Sequence, residues 1–568
     1  MNRKLHNACI VGLERMTAWA DLTDRINVFP VADGDTGRNL VISLSPFRRP
    51  NLNTEEVIHA LWRSACGNSG NIAVSFFAEF IKADSERNIL NAAINARDAA
   101  WQAIHSPREG TMLSVFDTLV EVLTAQKEAR RNSSQAIIDH LAKTVWESYD
   151  LLPELQKAGV VDSGALGVFL FLEGFFNCLY DADAELTPIT QRFKNRLQIS
   201  SAFQAENGHG HCINAVVQAQ NANNDTVRRL LASGDSVVAS ADDELIKIHL
   251  HADDKNAVRQ TVESMGRIVH WSEENLKDQV KTFKRPLKDA PLHIMTDAAG
   301  SLSVKDASNH GFTLLNSYIV TLNEVHPETL CDDAELYRYM RQGGKASTAQ
   351  ASQFERYQYY ESALNQYDRI LYLCVGSAFT GNYATAMAWK KKHDRNNRFT
   401  VIDTGAASGR LAMIVIATLD YLARADNAAE VIAFAQTAVE QSAEFIFLDR
   451  LHYLAAGGRL SKSSAFWGDL VRVKPIITPT SQGAKKAGQC FNRKAQIRFA
   501  MEKLADSFDE NSTPLIMLEY TDNREWVADI VQHEIKGYYS QAEIKLQPLS
   551  LTSGVHTGPG TWGMAFLS

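Results

Sequence analysis

The sequence predicts three folds in succession: an all-α domain, a small α/β domain and a larger α/β domain. Three observations predict this order. Up to about residue 190, apolar residues recur at three- and four-residue spacing between Ala, Leu, Glu and Gln, the mark of amphipathic helices. Near 190 short β-branched runs such as Val216-Val-Gln-Ala and Leu245-Ile-Lys-Ile-His249-Leu-His251 take over. From about 290 strand-like and helix-like segments alternate, the pattern of a mainly parallel sheet with crossover helices. A chain of 568 residues is also too long for one core and should form about three or four domains.

In the first segment helices are expected over 54–66, 90–104 and 133–150. Glycine-rich breaks separate them: Gly67-Asn-Ser-Gly70-Asn71, Arg108-Glu-Gly110-Thr111-Met112 and Gly159-Val-Val-Asp162-Ser163-Gly164. Each break stands where a helix begins, and a helix start offers free N–H groups and a positive dipole end to phosphate. The same residues also serve as ordinary caps. The middle segment predicts strands around 216, 236 and 245–251, with helices at 224–232 and 255–265. In the last segment strands are expected at 291–296, 369–375 and 399–403, and helices at 353–366, 380–392 and 407–424. Ligands of such sheets gather at the carboxyl ends of the strands. There the chain places Thr296-Asp297, Ser347-Thr348-Ala-Gln350 and Gly376-Ser377-Ala-Phe-Thr380. Two further hydroxyl- and glycine-rich stretches follow, Gly457-Gly458-Arg459-Leu-Ser461 and His556-Thr-Gly558-Pro-Gly560.

The composition, 45% hydrophobic and 22% charged, is that of a globular protein. A net charge of −8 offers no general attraction to nucleic acid or an anionic membrane. The longest apolar runs are broken by Glu173 and Asp420, so no transmembrane segment is expected. Seven scattered cysteines and an N-terminus without a secretory pattern fit a reducing cytoplasm.

The chemistry concentrates in Asn27-Val-Phe-Pro-Val-Ala-Asp33-Gly-Asp35-Thr-Gly37. Carboxylates this close hold a proton unless a cation neutralises them. Hard oxygen ligands of this kind suit Mg²⁺ with phosphate oxygens, although Asp-Gly is also a common surface turn. Better-known motifs fail. An EF-hand from Asp33 would need glycine and glutamate where Arg38 and Leu44 stand. The Gly376–Gly381 spacing of a phosphate loop is followed by Asn382, not lysine. The dinucleotide pattern at Gly558, Gly560 and Gly563 leaves five residues, too few for its helix and second strand. His249 and His251 share a strand face, and with Cys212 they form a zinc-compatible set, or a pair of strand histidines and a buried cysteine. Hydroxyls with one arginine and one histidine can hold a carboxylate. The chain has no Gly-x-Ser-x-Gly elbow.

Taken together, Asn-Val-Phe-Pro-Val-x-Asp-Gly-Asp-Thr-Gly, Gly-Asn-Ser-Gly, Glu-Gly-Thr-Met and Gly-Val-Val-Asp-Ser-Gly resemble the nucleotide-binding domain of the dihydroxyacetone kinase L type (DhaL or DAK2). The variant they match is that of bacterial fatty-acid kinase A. Residues 193–285 resemble the middle domain of the same kinase component, and 290–568 resemble a DegV (fatty-acid kinase B) protein through Ser-Thr-x-Gln, Gly-Gly-Arg-Leu-Ser, Lys474-Pro-Ile-Ile and His-x-Gly-Pro-Gly. The resemblance implies a DhaL-like helical barrel over 1–190, a middle domain over 191–287 and a two-lobed DegV-like domain over 288–568.

It also implies roles. Asp33 and Asp35, with Asn27 where the dihydroxyacetone branch uses Asp, would hold Mg²⁺ on ATP. Asn68, Ser69 and Thr111 would contact its phosphates. Cys212, His249 and His251 fall at the places of a possible Zn²⁺ site. Thr348, Ser377 and His556, with Arg459 close by, would present the carboxylate of a buried fatty acid. The implied reaction is phosphoryl transfer from ATP to that carboxylate, giving an acyl phosphate for an acyltransferase partner. Transfer would run within one chain, at an effective concentration in the ~mM range, or between the chains of a homodimer. The chain departs from the pattern at Ser64-Ala-Cys66, where relatives carry an arginine, at Ala351, where proline is usual, and at Gly376, which replaces a serine. Two alternatives stand beside the kinase: a non-catalytic or regulatory lipid-binding protein with a degenerate kinase half, and a dihydroxyacetone-type kinase. The last would need a substrate domain with a reactive histidine that the sequence does not show.

Overall fold

The computed structural model describes the chain apart from residues 1, 50–52, 105, 130–132, 181–185, 204–209, 219–234, 242–244, 277–289, 323, 457–472, 510 and 511. Two compact units divide it, Met1–Pro286 and Leu287–Ser568.

Among the described residues the first unit opens with ten α-helices. They are α1 (Arg3–Thr17), α2 (Ala20–Arg25), α3 (Thr36–Leu44), α4 (Thr54–Ser64) and α5 (Gly67–Phe80), then α6 (Ile89–Ala103), α7 (Met112–Ala129), α8 (Ser134–Leu151), α9 (Pro153–Ala158) and α10 (Ser163–Tyr180). The expected helices at 54–66, 90–104 and 133–150 are α4, α6 and α8, displaced by at most two residues. Polar caps set their starts: Asn53 and Glu56 close a capping box on α4, and Ser133 caps α8. Phenylalanines pack in the interior, with Phe76 stacked on Phe116 at 3.8 Å and Phe77 tilted against Phe171 at 4.3 Å.

One expectation is corrected here. Glu173 does not break the apolar run around it. α10 has the length and mean hydropathy (1.4) of a membrane-crossing helix, and 89% of it is buried inside the fold. Glu173 is accommodated because Arg15 of α1 meets it in the core, at 3.0 and 2.9 Å, with both side chains fully buried.

A four-stranded antiparallel sheet completes the unit. Its strands are β1 (His211–Gln218), β2 (Asp235–Ala241), β3 (Leu245–Ala252) and β4 (Arg267–Asn275), in the order β2-β3-β1-β4. A helix, Lys255–Met265, packs on it through Val258 and Val262. The edge strand β4 is absent from the sequence expectation, and the expected helix at 224–232 lies outside the described residues. Lys247 of β3 donates to the carbonyls of Arg63 and Ala65, tying this sheet to the α4–α5 turn.

The second unit holds two main sheets. The first is parallel, in the order β11-β10-β5-β6, from β5 (His293–Asp297), β6 (Thr313–Leu315), β10 (Ile370–Cys374) and β11 (Phe399–Asp403). β7 (Tyr318–Val320), β8 (Val325–Pro327) and β9 (Ser347–Ala349) form a small antiparallel sheet. The second main sheet has six strands in the order β14-β13-β12-β17-β15-β16. They are β12 (Ser442–Phe447), β13 (Lys474–Thr480), β14 (Gly483–Cys490), β15 (Leu515–Tyr520), β16 (Glu543–Pro548) and β17 (Trp562–Leu567). Only β15 and β16 pair parallel, so the expectation of one mainly parallel sheet holds for the first sheet and fails for the second. Continuous apolar runs mark buried strands without giving their direction.

Candidate functional site

Four helices of the first unit begin at one place. The turn Asp33-Gly34-Asp35 leads into α3, with Gly34 at φ +70°. The Thr36 hydroxyl lies 3.4 Å from Ser69 Oγ in the first turn of α5 and 3.4 Å from Ser163 Oγ at the start of α10. A Cβ on Gly164 would meet Met112, the first residue of α7, at 2.7 Å. The free N–H groups of a helix start need partners or a ligand. Asp24 accepts from Gly37 N (2.6 Å) and Arg38 N (3.2 Å), filling the start of α3. Asp162 accepts from Ala165 N (2.7 Å) at α10, and Thr111 Oγ1 from Leu113 N (3.4 Å) at α7. Among the described residues no side chain caps α5. Asn68 Oδ1, in its first turn, is buried with no hydrogen-bond partner. Gly67 makes that turn possible: it sits at φ +63°, and a Cβ there would strike Asn39 Nδ2 at 2.1 Å.

The acidic pair faces this start. Burial, then the Asp35 carboxylate, push the Asp33 carboxyl well above the usual range. Burial likewise pushes Asp24 up to about 8 and Asp162 up to about 7. Paired carboxyls that resist joint ionisation, beside an orphaned amide oxygen, fit a divalent cation. Asn27 stands behind them. Its Nδ2 donates to Asp33 Oδ1 (2.5 Å) and its Oδ1 accepts from Ser163 Oγ (3.2 Å), so in this arrangement it orients Asp33.

The same pocket is closed by the sheet. Asn27, Asp33, Asp35, Thr36, Asn39, Asn68 and Ser69 line it, together with His249 and His251 of β3. Thr111 is not among its lining residues and donates to Arg108 O at 2.9 Å. Cys212 lies opposite His251 in the β1–β3 ladder, and one ligand atom from each of Cys212, His249 and His251 falls within 4.8 Å of the others. His249 Nδ1 is 2.9 Å from Asn214 Oδ1, an acceptor that fixes the proton on Nδ1. Nε2 is then a lone pair, buried and with no hydrogen-bond partner. Burial, and secondarily His251, pull the His249 pKa down to about 3, so the ring is neutral, the ligand form. This donor set fits Zn²⁺ with a fourth position open. His249→Ala is expected to abolish zinc retention, and Asn214→Ala to weaken it roughly 10-fold. Metal analysis of protein dialysed against a graded chelator checks both. Retention by His249→Ala would exclude the site.

In the second unit an apolar cavity of about 70 Å³ is walled by Phe379, Ile446, Leu454, Ile477, Pro479 and Ala484. Its polar lining is Thr380, Ser408, Ser553, His556 and Thr557, with Ser408 Oγ and Ser553 Oγ 2.6 Å apart. His556 Nε2 meets Thr348 Oγ1 at 3.0 Å, so two expected residues come together there from 208 positions apart. Ser377 does not join them. It is exposed, and its backbone N–H donates to Asp403 Oδ1 at 2.9 Å. Thr380 reaches the cavity in its place, because Asp297 grips the loop on both sides through Val375 N and Asn382 Nδ2, each at 2.9 Å. Arg459 lies outside the described residues. The sequence expectation missed Asp24, Thr36, Asn39, Ser163, Ser408 and Ser553. Two of these carried a signal: Thr36 inside the Asp-Gly-Asp-Thr-Gly turn and Ser163 inside the Asp-Ser-Gly break.

Comparison with known proteins separates the same regions. Residues 30–177 match the DAK2 domain, 208–283 the fatty acid kinase A-like middle domain, and 291–568 the DegV family, described as uncharacterised. This chain joins a DAK2 domain, a fatty acid kinase A-like middle domain and a DegV domain. It is similar to protein YloV of Bacillus subtilis (strain 168), 27% identical over 300 residues, which are 48% of this chain and 54% of that protein. An uncharacterized protein of Staphylococcus haemolyticus (strain JCSC1435) is 27% identical over 317 residues, 51% of this chain and 57% of its own. The chain thus spans about half the length of the curated relatives it matches. The DegV region is similar to solved structures of a fatty-acid-binding DegV family protein from Thermus thermophilus and of DegV, a fatty acid binding protein from Bacillus subtilis. The first is 22% identical, covers 49% of this chain and 99% of its own, and has a TM-score of 0.45. The second is 20% identical, covers 49% and 100%, and has a TM-score of 0.45.

Proposed function

We propose that this chain is an ATP-dependent fatty-acid kinase that phosphorylates the carboxylate of an acid held in its DegV domain. The observation that carries the reading is the pocket of the first unit. It gathers a half-buried acidic pair, an uncapped helix start and two zinc-compatible histidines in a chain that also carries an apolar cavity lined in part by hydroxyls and a histidine.

Asp33 and Asp35 would hold Mg²⁺ on the ATP phosphates, with Asn27 orienting Asp33. The α5 N-terminus, with Asn68 and Ser69, would cradle phosphate oxygens. Bound cations supply neutralisation of the phosphate charge. His556, Thr348, Ser408 and Ser553 would orient the acid. An acyl carboxylate is ionised at neutral pH, so it attacks the γ-phosphorus without a general base. One P–O bond forms as the β,γ-bridging bond breaks, and ADP leaves with the electron pair. Positioning and charge stabilisation then carry the rate. An acyltransferase would consume the product.

Incubating the purified full chain with a C16 fatty acid and Mg-ATP, then trapping with hydroxylamine, should give the hydroxamate and one ADP per acyl group. A fatty acid that binds and stays unmodified would point instead to the carrier reading. The loop Ser64-Ala-Cys66 and Gly376, which depart from the family pattern, favour that second reading.

A further inference from the structure

A pair of buried glutamates is hydrogen-bonded into the two helices that carry the cavity's serines, Ser408 and Ser553. Glu444 on β12 and Glu519 on β15 flank β17, opposite Ala565 and Gly563 respectively, and both are fully buried. Two missing side chains leave room for them. A Cβ on Gly563 of the sheet, or on Gly409 of the helix Ser408–Leu422 above it, would come within 2.6 Å of Glu519 Oε2. Glu444 Oε2 and Glu519 Oε2 are both buried and receive no donor from the described residues, and two such carboxyls side by side hold one proton between them rather than ionise together. Burial raises both, and Glu519 raises Glu444 further.

Each glutamate holds a different helix. Glu444 Oε1 accepts from Gly409 N at 3.0 Å, at the start of the helix that carries Ser408. Glu519 Oε1 accepts from Ser301 Oγ at 2.6 Å, and Ser301 Oγ accepts from Ser550 N at 2.9 Å. Ser550 caps the helix Leu551–Thr557, which carries Ser553 and His556. The two helices meet at the cavity, where Ser408 Oγ and Ser553 Oγ are 2.6 Å apart.

We propose that Glu444 and Glu519 are a positioning pair whose single shared proton holds Ser408 and the Ser553–His556 turn together, and so controls binding of the fatty-acid carboxylate. The inference rests on the reading of this cavity as the acid's site. Losing the proton places a second buried negative charge beside the first. Little nearby offsets that charge. β17 presents Gly563 and Ala565, and the loop presents the Ser301 hydroxyl. Arg410 is the cation facing Glu444, and its guanidinium is engaged by Ser442 Oγ, Val439 O and Pro479 O. The sign follows. A raised carboxyl keeps its proton at low pH and loses it as pH rises through its folded value, so affinity falls with rising pH.

Equilibrium dialysis of the full chain with radiolabelled hexadecanoate, from about pH 6 to about pH 10, tests this. The affinity of the natural chain should fall about tenfold per pH unit once the proton leaves. The ligand is already ionised across that range and contributes no slope. Glu519→Gln supplies a permanent N–H to Glu444, so it should bind within about twofold of the natural chain near pH 7 and lose the slope. Glu444→Gln should do the same, which keeps the test open if one variant folds poorly. A flat profile in the natural chain, or an unchanged slope in a folded glutamine variant, would overturn the pair's role. Failure of the natural chain to bind the acid at any pH would overturn the cavity reading, and the inference with it.

Discussion

Asp33→Asn is expected to lower ATP turnover by roughly 10³-fold, about 4 kcal/mol of transition-state stabilisation, while hexadecanoate binding stays unchanged. The asparagine fills the same space, and Asn27 can still hydrogen-bond it. What is lost is the negative charge opposite the phosphate cradle. That charge is unfavourable without a cation, since burial and Asp35 both disfavour an ionised Asp33. The variant should therefore melt higher than the natural chain in chelator. It should also lose most of the melting-temperature rise that Mg²⁺ gives by mass action. A site built for metal shows opposite signs in activity and metal-free stability. Thermal melts with and without Mg²⁺, beside an ADP-release assay, read both. Turnover within about tenfold of the natural chain would remove Asp33 from the machinery.

Several of these features are legible in the sequence because they are local. The Asp-Gly-Asp turn and the alternation that puts His249 and His251 on one face each depend on a few adjacent residues. What sequence reasoning misses is nonlocal. Nothing in the β3 alternation says that its histidine face would close over Asp33 and Asp35, more than 200 positions earlier. Ser377 looks like the cavity hydroxyl until Asp297 and Asp403 set the rotation of its loop, which turns Thr380 inward. The edge strand β4 hides because charged residues interrupt its apolar period, as edge strands require. Glu444 and Glu519 sit in unrelated apolar runs, and only their shared neighbour β17 brings them together. Resemblance to known families supplied part of what periodicity could not, including the pairing of Thr348 with His556.

Glu173 shows the same limit in energetic terms. Read along the chain it is a charge that interrupts an apolar run, and in the fold it is half of a buried pair with Arg15. Replacing Arg15 by methionine roughly keeps the side-chain volume and leaves Glu173 in the core without the two donors, Nε and Nη2, that share its Oε2. Breaking such a pair costs roughly 3–5 kcal/mol, or a drop of about 10 °C in the melting temperature of a unit this size. Arg192 is the remaining cation nearby, with Nε 3.8 Å from Glu173 Oε1, but its guanidinium is also engaged by Asp139 at 3.0 Å. It should recover only a fraction of the loss. The double variant Arg15→Met, Glu173→Leu is expected to return to within about 1 kcal/mol of the natural chain, because two apolar groups need no desolvation. Denaturant melts of the three variants read this directly. If the single and double variants lose the same stability, the cost lies in packing between α1 and α10 rather than in the orphaned charge. If the single variant loses less than about 1 kcal/mol, water or Arg192 already compensates Glu173, and the pair is not what allows a charge in the middle of α10.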